Sequence, residues 1–225
     1  MDKKKINENF VVIIPLRKGS KRIKNKNFTL IKNKPLIYYT YREAIKVFDS
    51  ENIFVSSNDP KAKKFSKKFK LQYIDRPKKI CKDNSKTEDA IIHFLKQKKI
   101  SAENIVLLQA TSPMRTAKDI INGINKYNNK KLDSIFSVFK EKNFLWKKNN
   151  KKLYSISFDY KNRKRVQNME NIYHENGAVF IFNKKKFTKY KNRIFGKFDF
   201  FEMSKSNSID IDYKEDLETF KNYIS

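Results

Sequence analysis

Cysteine is almost absent from this chain. Cys81 is the only one among 225 residues, so no disulfide can form within the chain. Small secreted folds that depend on several disulfides are therefore excluded as a class. The cysteine content predicts a protein of a reducing compartment, and we expect it to be cytoplasmic.

Long apolar runs are missing as well. The apolar stretch near the N-terminus, residues 10–14, has five residues, whereas a transmembrane helix needs about 20. The run is also too short for the hydrophobic segment of a signal peptide. We expect a soluble protein with no membrane partner.

Acidic residues are scarce, and so is arginine. The chain has 52 lysines and arginines against 24 acids, a net charge of +28, and only eight of the cations are arginines. Such an excess favours polyanions in general. The lysines are spread over the whole chain, however, so we interpret them as solvated and expect no nucleic-acid partner. Arginine offers a planar fork of donors to phosphate and carboxylate, and the informative ones are Arg17, Arg22, Arg76, Arg115 and Arg165.

Strand-like and helix-like segments alternate along the chain, which is typical of an α/β fold with crossover helices. The length suits one domain over residues 1–225. Apolar runs predict strands at residues 10–15, 52–57, 71–74, 104–109, 134–138, 177–182 and 208–212. Helical spacing predicts helices at residues 35–48, 60–69, 87–97, 116–127 and 213–223. We expect a doubly wound, mostly parallel sheet.

Residues 140–170 interrupt this alternation. The stretch holds the only tryptophan, Trp146, together with apolar residues that have no obvious place in the core. Two interpretations stay open: an arm that reaches a second subunit, since aromatic residues are favoured at interface centres, or a plain surface hairpin. On the first interpretation the protein is a homodimer with a small dimerisation excursion.

A basic loop follows the first strand, where ligands of open α/β sheets bind. Residues 17–27 hold six cations and one of only four glycines, Gly19. Backbone N–H groups at such a glycine can approach phosphate oxygens, while Arg17, Lys21 and Lys26 can neutralise a triphosphate and departing pyrophosphate. The alternative is a basic surface loop in an already basic protein.

Two acids near the C-terminus, Asp210 and Asp212, are separated by one residue. On a strand both carboxylates point to the same face. Two hard oxygen ligands suit Mg²⁺, which completes its shell with waters and substrate phosphates. The pair therefore predicts a magnesium site, with exposed strand carboxylates as the alternative.

Four segments, in this order, resemble the signature of the acylneuraminate cytidylyltransferases, the CMP-sialic acid synthetases. Residues 17–27, RKGSKRIKNKN, are similar to that family's RGGSKRIPxKN loop, with Lys18 in place of a glycine and Lys24 in place of the proline. The other three segments are LLQATSPMR at 107–115, YHENGA at 173–178 and SIDID at 208–212. Together they extend the resemblance over nearly the whole chain.

The resemblance implies a nucleotidyltransferase fold and an enzyme that transfers CMP from CTP to the anomeric hydroxyl of a nine-carbon 2-keto-3-deoxy sugar acid, with Mg²⁺ as cofactor and pyrophosphate as the second product. The catalytic residues on this basis are Arg17, Lys26 and Asp212, and the metal ligands are Asp210 and Asp212. The expected nucleotide-binding residues are Arg17, Ser20, Lys21, Lys26, Asn27, Arg76, Ser85 and Thr87, the last three toward the base. The expected sugar-binding residues are Gln109, Thr111, Ser112, Arg165 and Asn176.

Several alternatives stay open. Related cytidylyltransferases use 3-deoxy-octulosonate, pseudaminate or legionaminate, and the sequence does not choose among these acceptors or their acyl groups. The hydroxyl could be deprotonated with help from the metal or from Asp212, and Arg165 could act within its own chain or across a dimer. A basic RNA-binding protein is the alternative from another class, but we find no motif of aromatic and basic residues typical of one.

Overall fold

The structure is a computed structural model that describes residues 2–150 and 152–224. Its strands in chain order are β1 (Phe10–Pro15), β2 (Leu30–Ile31), β3 (Lys34–Pro35), β4 (Ile53–Ser57), β5 (Gln72–Asp75), β6 (Asn104–Leu108), β7 (Ser134–Glu141), β8 (Trp146–Asn149), β9 (Lys152–Ser155), β10 (Ile172–Asn183) and β11 (Phe198–Glu202). Seven of them form one sheet in the order β11-β7-β10-β6-β1-β4-β5. The short strands pair separately, β2 with β3 and β8 with β9.

All strands of the large sheet except β10 run in the same direction. β1 pairs in parallel with β4 and β6, β4 with β5, and β7 with β11. β10 is antiparallel to both of its neighbours, β6 and β7. The expected doubly wound, mostly parallel sheet is confirmed, and the parallel strands bring their carboxyl ends to one edge.

The helices are α1 (Lys3–Asn9), α2 (Leu36–Ala44), α3 (Pro60–Lys68), α4 (Thr87–Gln97), α5 (Ala117–Asn129), α6 (Lys184–Tyr190) and α7 (Lys214–Tyr223). α4 has the predicted bounds, and α3 begins after Asp59, whose carboxylate caps it by accepting from the Lys61 amide at 2.9 Å. The sequence analysis missed α1 and α6, because each buries a single side chain and shows no helical period. Within the described residues, no helix combines the length and apolar content required to cross a membrane.

Alternation along the buried strands divides the core between the two faces of the sheet. On one face Val12 and Val106 pack with helices α2, α3 and α5, represented by Ile37, Phe65 and Ile120. The other face carries Val11, Ile13, Phe54 and Leu107, which pack with α4 and α6. Helices on both faces leave the carboxyl ends of the strands as the open edge where loops can form a site.

A third apolar cluster lies under the loops that leave this edge. Ile23 of the basic loop and Ile211 of the acidic segment are both buried in it, with Leu36 and Tyr39 of α2 and Phe220 of α7. The rings of Tyr39 and Phe220 meet edge to face, with centroids 4.9 Å apart. Burying one such side chain contributes about 1.5–3 kcal/mol, so this cluster fixes the basic loop beside the acidic segment.

One predicted strand is wrong. Residues 208–212 pair with no strand among the described residues, but follow a 3₁₀ turn at Ser206–Ser208 and run in extended form. Their position is set by a backbone bond from the Ile211 amide to the Thr111 carbonyl at 2.8 Å. The last strand of the sheet is β11 instead, so the argument that a strand places Asp210 and Asp212 on one face does not hold in that form.

Residues 142–171, between β7 and β10, project from the sheet. They contain the hairpin of β8 and β9, a 3₁₀ turn at Val166–Asn168 and several exposed apolar side chains. The exposed fractions are 48% for Trp146, 62% for Leu153 and 62% for Ile156. This stretch, which we call the arm, overlaps the predicted excursion at 140–170 and leaves these three apolar side chains exposed within the single chain.

Candidate nucleotide site

A cavity of about 440 Å³ opens at the carboxyl edge of the sheet. It lies between the loop after β1, the segment after β5, the start of α4 and the loop after β6. All eight residues predicted to bind the nucleotide line it: Arg17, Ser20, Lys21, Lys26, Asn27, Arg76, Ser85 and Thr87. The structure therefore brings together side chains that are up to 70 positions apart in the sequence.

The basic loop keeps its conformation despite the lysine at position 18. Gly19 has φ of 89°, whereas Lys18 is not among the described residues with positive φ. The Lys18 amide donates to Asn58 Oδ1 at 2.8 Å, which ties the loop to the segment after β4. Only the second position of the family's paired glycines needs the left-handed region here, so the departure at Lys18 fits the turn.

Lys26 and Arg22 connect the basic loop to the acidic segment. The side chain of Lys26 is 11% exposed, and its ammonium donates to the Ile211 carbonyl at 2.5 Å and to Asp212 Oδ1 at 2.9 Å. Arg22 Nη1 donates to Asp212 Oδ2 at 3.0 Å. The hydrogen bond from Lys26, aided by the charge of Arg22, holds the pKa of Asp212 below its usual range, so this carboxylate is ionised.

Asp210 lies on the other side of the acidic segment. It lines a neighbouring cavity of about 550 Å³ together with Lys205, Ser206 and Ser208. Asp210 is exposed as a whole residue, but loss of solvation at its carboxyl raises its pKa, and the charges of Asp212 and Asp216 add to the rise. A hydrogen bond with Thr111 and the charge of Lys26 act in the opposite direction. The acidic segment thus forms the wall between the two cavities.

The donor chemistry of the two carboxyls suits a magnesium ion that uses few protein ligands, although the structure places them on different cavities. Within the described residues no group of three or more His, Cys, Asp and Glu side chains is placed to hold a metal. Mg²⁺ usually takes one or two carboxylates and fills its shell with water and substrate phosphates. The pKa of Asp210 is raised beside two other acids, and a divalent cation bound there would stabilise its ionised form.

Arg76 forms the inner wall of the cavity at the predicted base end. The residue is 6% exposed, and its Nη2 donates to the Leu16 carbonyl at 2.5 Å, while burial lowers the pKa of the guanidinium. Its Nε has no hydrogen-bond partner among the described residues. Arg76 therefore anchors the start of the basic loop and retains a donor without a partner.

Three charged residues that line this cavity, Arg22, Asp83 and Lys86, were not among the predicted site residues. Asp83 accepts from Arg17 Nη1 at 2.5 Å and from the Lys21 ammonium at 2.7 Å, which lowers the pKa of its carboxyl, Lys21 having the larger effect. Arg22 lies in the basic loop, and Asp83 and Lys86 lie within two residues of the predicted Ser85. The signal was present, but pairing across 66 positions is not visible in a single sequence.

Only part of the predicted sugar site is assembled around the cavity. Gln109 and Thr111 line it, whereas Ser112 is 1% exposed and its hydroxyl has no hydrogen-bond partner among the described residues. The loop that carries them is fixed by the buried Arg115, whose Nη1 donates to the carbonyls of Gln109 and Ala178 at 3.2 and 2.7 Å. Burial lowers the pKa of Arg115 to about 10, still well above neutral pH.

Asn176 does not line either cavity beside the acidic segment. It is 6% exposed, and its side-chain oxygen accepts from the Ser137 hydroxyl at 2.6 Å and the Ala178 amide at 3.1 Å. Its side-chain nitrogen donates to the Ser208 hydroxyl at 2.8 Å. These bonds link a bulge in β10 to the segment that leads into Asp210.

Arg165 lies on the arm, immediately before the 3₁₀ turn at Val166–Asn168, and it is exposed. It lines neither the 440 Å³ cavity nor its neighbour. The single chain therefore does not bring Arg165 to the other predicted residues.

The chain resembles known cytidylyltransferases in sequence and in fold. A family model described as Cytidylyltransferase matches residues 11–225. The N-acylneuraminate cytidylyltransferase of Streptococcus agalactiae serotype III is 29% identical over 212 residues, 92% of this chain and 51% of that protein. The protein of the same name from Escherichia coli O18:K1:H7 is 31% identical over 214 residues, 92% of this chain and 50% of that protein. The chain spans about half the length of these curated relatives.

A solved structure shares the architecture. The structure of CMP:2-keto-3-deoxy-manno-octonic acid synthetase complexed with CTP has a TM-score of 0.72 and 15% identity, over 96% of this chain and 98% of that chain. At such identity the likeness concerns the fold, a mixed α/β architecture with a mostly parallel sheet. Because the family match covers nearly the whole sequence, this chain belongs to the cytidylyltransferase family.

Proposed function

We propose that the chain transfers CMP from CTP to the anomeric hydroxyl of a nine-carbon 2-keto-3-deoxy sugar acid of the sialic acid type. The observation that carries this proposal is the single cavity lined by all eight residues predicted for the nucleotide. The two curated relatives named N-acylneuraminate cytidylyltransferase support the same reaction. So does the similar fold of a synthetase solved with CTP.

The charge of the cavity suits a triphosphate. Two carboxylates, Asp83 and Asp212, line it against six cationic side chains: Arg17, Lys21, Arg22, Lys26, Arg76 and Lys86. Cations gathered in a concave site raise the local concentration of a polyanion and stabilise charge that develops there. We place the phosphates along the basic loop and the cytosine toward Arg76, Ser85 and Thr87.

The reaction is an in-line displacement. The anomeric hydroxyl of the sugar gives up its proton, to Asp212 or to solvent, and its oxygen forms a bond to the α-phosphorus of CTP. The bond from that phosphorus to the oxygen of the β-phosphate breaks, and pyrophosphate leaves. Arg17 and Lys26 neutralise the charge that accumulates on the leaving group, and the basic loop holds the phosphates in line. Binding and orientation supply most of the catalysis in such transfers.

We propose that Asp210 and Asp212 hold Mg²⁺ when the substrates are bound. The ion would neutralise phosphate charge and lower the pKa of the attacking hydroxyl. Asp212 is already positioned through Lys26 and Arg22, so its carboxylate lies at the phosphate side of the acidic segment. Asp210 lies toward the neighbouring cavity, where we place the acceptor.

The acceptor site is the part that one chain leaves incomplete. Gln109 and Thr111 face the cavity, whereas Ser112 and Asn176 are buried and Arg165 lies on the arm. We propose that the enzyme is a cytoplasmic homodimer in which the arm reaches the partner and brings Arg165 to the partner's acceptor site. The exposed Trp146, with its ring 5.2 Å from that of Phe158, gives the arm an aromatic surface for this contact.

A panel assay tests the proposed function. Pyrophosphate release is measured with each of the four nucleoside triphosphates against N-acetylneuraminate, legionaminate, pseudaminate and 3-deoxy-octulosonate. We expect release only with CTP, and fastest with a nine-carbon acid. Preference for the eight-carbon octulosonate would mean that the chain uses the acceptor named for the structural neighbour. If none of the four acids supported pyrophosphate release, the proposal would be contradicted.

A further inference from the structure

Asp83 lines the nucleotide cavity as an acid among cations. Its two carboxylate oxygens are divided between partners on the basic loop, Oδ1 with Arg17 Nη1 at 2.5 Å and Oδ2 with the Lys21 ammonium at 2.7 Å. The segment that carries Asp83 also carries Ser85 and Thr87 at the predicted base end. One carboxylate thus bridges the phosphate side and the base side of the site.

The partners of Asp83 are the residues that should bind phosphate. Arg17 also donates to the Gly19 carbonyl at 3.3 Å, and no further carboxylate within the described residues pairs with Arg17 or Lys21. A guanidinium fork and an ammonium that converge on two oxygens can bind phosphate in the same way. The carboxylate of Asp83 is therefore bound by side chains that suit a phosphate group.

We propose that Asp83 is an internal counterion that a polyphosphate must displace, so that it selects nucleoside triphosphate over monophosphate. The proposal rests on the proposed function only in naming CTP as the natural ligand. Without bound phosphate, Asp83 screens the mutual repulsion of the loop cations and keeps the basic loop against residues 83–87. A ligand with several phosphate charges replaces the carboxylate, whereas a monophosphate offers too little charge for the exchange.

A phosphate can replace the Asp83 carboxylate because the ion pairs of Asp83 are exposed. The side chains of Asp83, Arg17 and Lys21 are 42%, 35% and 76% exposed, respectively. Exposed ion pairs contribute little free energy and are screened by water and salt. The bridge is therefore weak enough to yield to a triphosphate. When pyrophosphate departs, the carboxylate can return and assist its release.

The test compares Asp83→Asn with wild type in binding experiments by calorimetry. The ligands are CTP, CMP and inorganic tripolyphosphate, the last carrying the charge without the nucleoside. Asp83→Glu, which keeps the charge, is the conservative variant. Asp199→Asn is the matched control, because Asp199 also pairs with two lysines, Lys126 at 3.2 Å and Lys130 at 2.7 Å, away from the cavity.

We expect Asp83→Asn to bind CTP and tripolyphosphate about five- to tenfold more tightly, since two exposed ion pairs no longer have to be broken, with less than about a twofold change for CMP. Asp83→Glu and Asp199→Asn should behave as wild type. Unchanged or weaker CTP binding in Asp83→Asn, or an equal gain for CMP, would overturn the proposal. If wild type binds no CTP, the proposed function fails, and tripolyphosphate still tests Asp83 separately.

Discussion

The two halves of the site differ in how completely one chain builds them. On the nucleotide side, eight predicted residues from three stretches of the chain line one cavity. On the acceptor side, two of five predicted residues reach it, two are buried and one lies on the arm. The first half is preorganised by the strand ends and the cluster around Ile23 and Ile211, and the second depends on a segment that projects from the sheet.

The comparison distinguishes side chains that the sheet itself positions from side chains whose position depends on the projecting arm. Loops that follow adjacent parallel strands must meet at one edge of the sheet, so their side chains converge whenever the fold forms. The arm has no such constraint, because its hairpin pairs only with itself among the described residues. Changes on the nucleotide side should therefore act on chemistry and CTP, and changes on the acceptor side on the sugar acid or on assembly.

The largest effect should come from the acids between the two halves. Asp212→Asn and Asp210→Asn each remove charge from the proposed metal site without changing side-chain volume. We expect turnover to fall by at least about 100- to 1,000-fold. The measurement is pyrophosphate release against Mg²⁺ concentration at saturating substrates, with circular dichroism to check the fold. Full Mg²⁺-dependent turnover in Asp212→Asn, alongside normal activity of the distant Asp199→Asn control, would contradict the assignment.

A smaller loss should follow when a cation is removed from the nucleotide side. Lys26→Ala removes a charge-assisted contact worth about 1.5–3 kcal/mol, or about 10- to 100-fold in kcat/KM for CTP. Lys24→Ala is the matched control, because this lysine of the same loop is exposed and does not line the cavity. Equal effects of the two variants on kcat/KM would mean that the general charge of the loop, not the cavity, binds CTP.

The difference between local patterns and contacts of distant loops explains what the sequence could predict. The strand from Phe10 to Pro15 and helix α4 were predicted with correct bounds, because buried runs and helical periods are local patterns. The residues of the nucleotide cavity were predicted from the family resemblance, and strand ends that meet at one edge explain why they converge. The pairing of Asp83 with Arg17 was not predictable, because it depends on how two distant loops approach each other.

In the acidic segment a local pattern led to a wrong prediction, because it predicted a strand that does not form. The alternation of Ile209, Asp210, Ile211 and Asp212 has the period of a strand. Among the described residues, however, its one backbone–backbone hydrogen bond to the loop after β6 runs from the Ile211 amide to the Thr111 carbonyl. The true edge strand, β11, carries Phe198, Phe200 and Phe201 and pairs with β7. A period of two is shared by strands and by extended segments packed on a core, so the pattern alone cannot distinguish them.

On the acceptor side, variants at Asn176 test whether this residue positions its neighbours or contacts the sugar directly. Asn176→Ala and Ser137→Ala both break the buried network that leads to Ser208, and each should lower the free energy of unfolding by about 1–3 kcal/mol. We expect both to raise KM for the sugar acid by similar factors, because Asn176 acts through Ser208. Denaturant unfolding and steady-state kinetics measure the two effects. A rise in KM confined to Asn176→Ala would instead support the predicted direct contact with the sugar.

Mixing two variant chains tests whether a second chain completes the acceptor side. The expected effect is the smallest of those considered, a partial recovery of activity. Asp212→Asn and Arg165→Ala chains are each expected to be nearly inactive at low sugar concentration. In a shared site built from Asp212 of one chain and Arg165 of the other, a mixed dimer keeps one intact site. Random pairing makes about half of the dimers mixed, so the mixture should recover about a quarter of wild-type activity.

Light scattering gives the mass of the same samples. We expect a dimer, and a Trp146→Lys variant should weaken it by placing a charge in the proposed aromatic contact. No recovery beyond the sum of the two parents would show that each site is built within one chain, with Arg165 outside it. A monomeric wild type with full activity would contradict the arm's role altogether, since the exposed surface around Trp146 would then have no partner in the active enzyme.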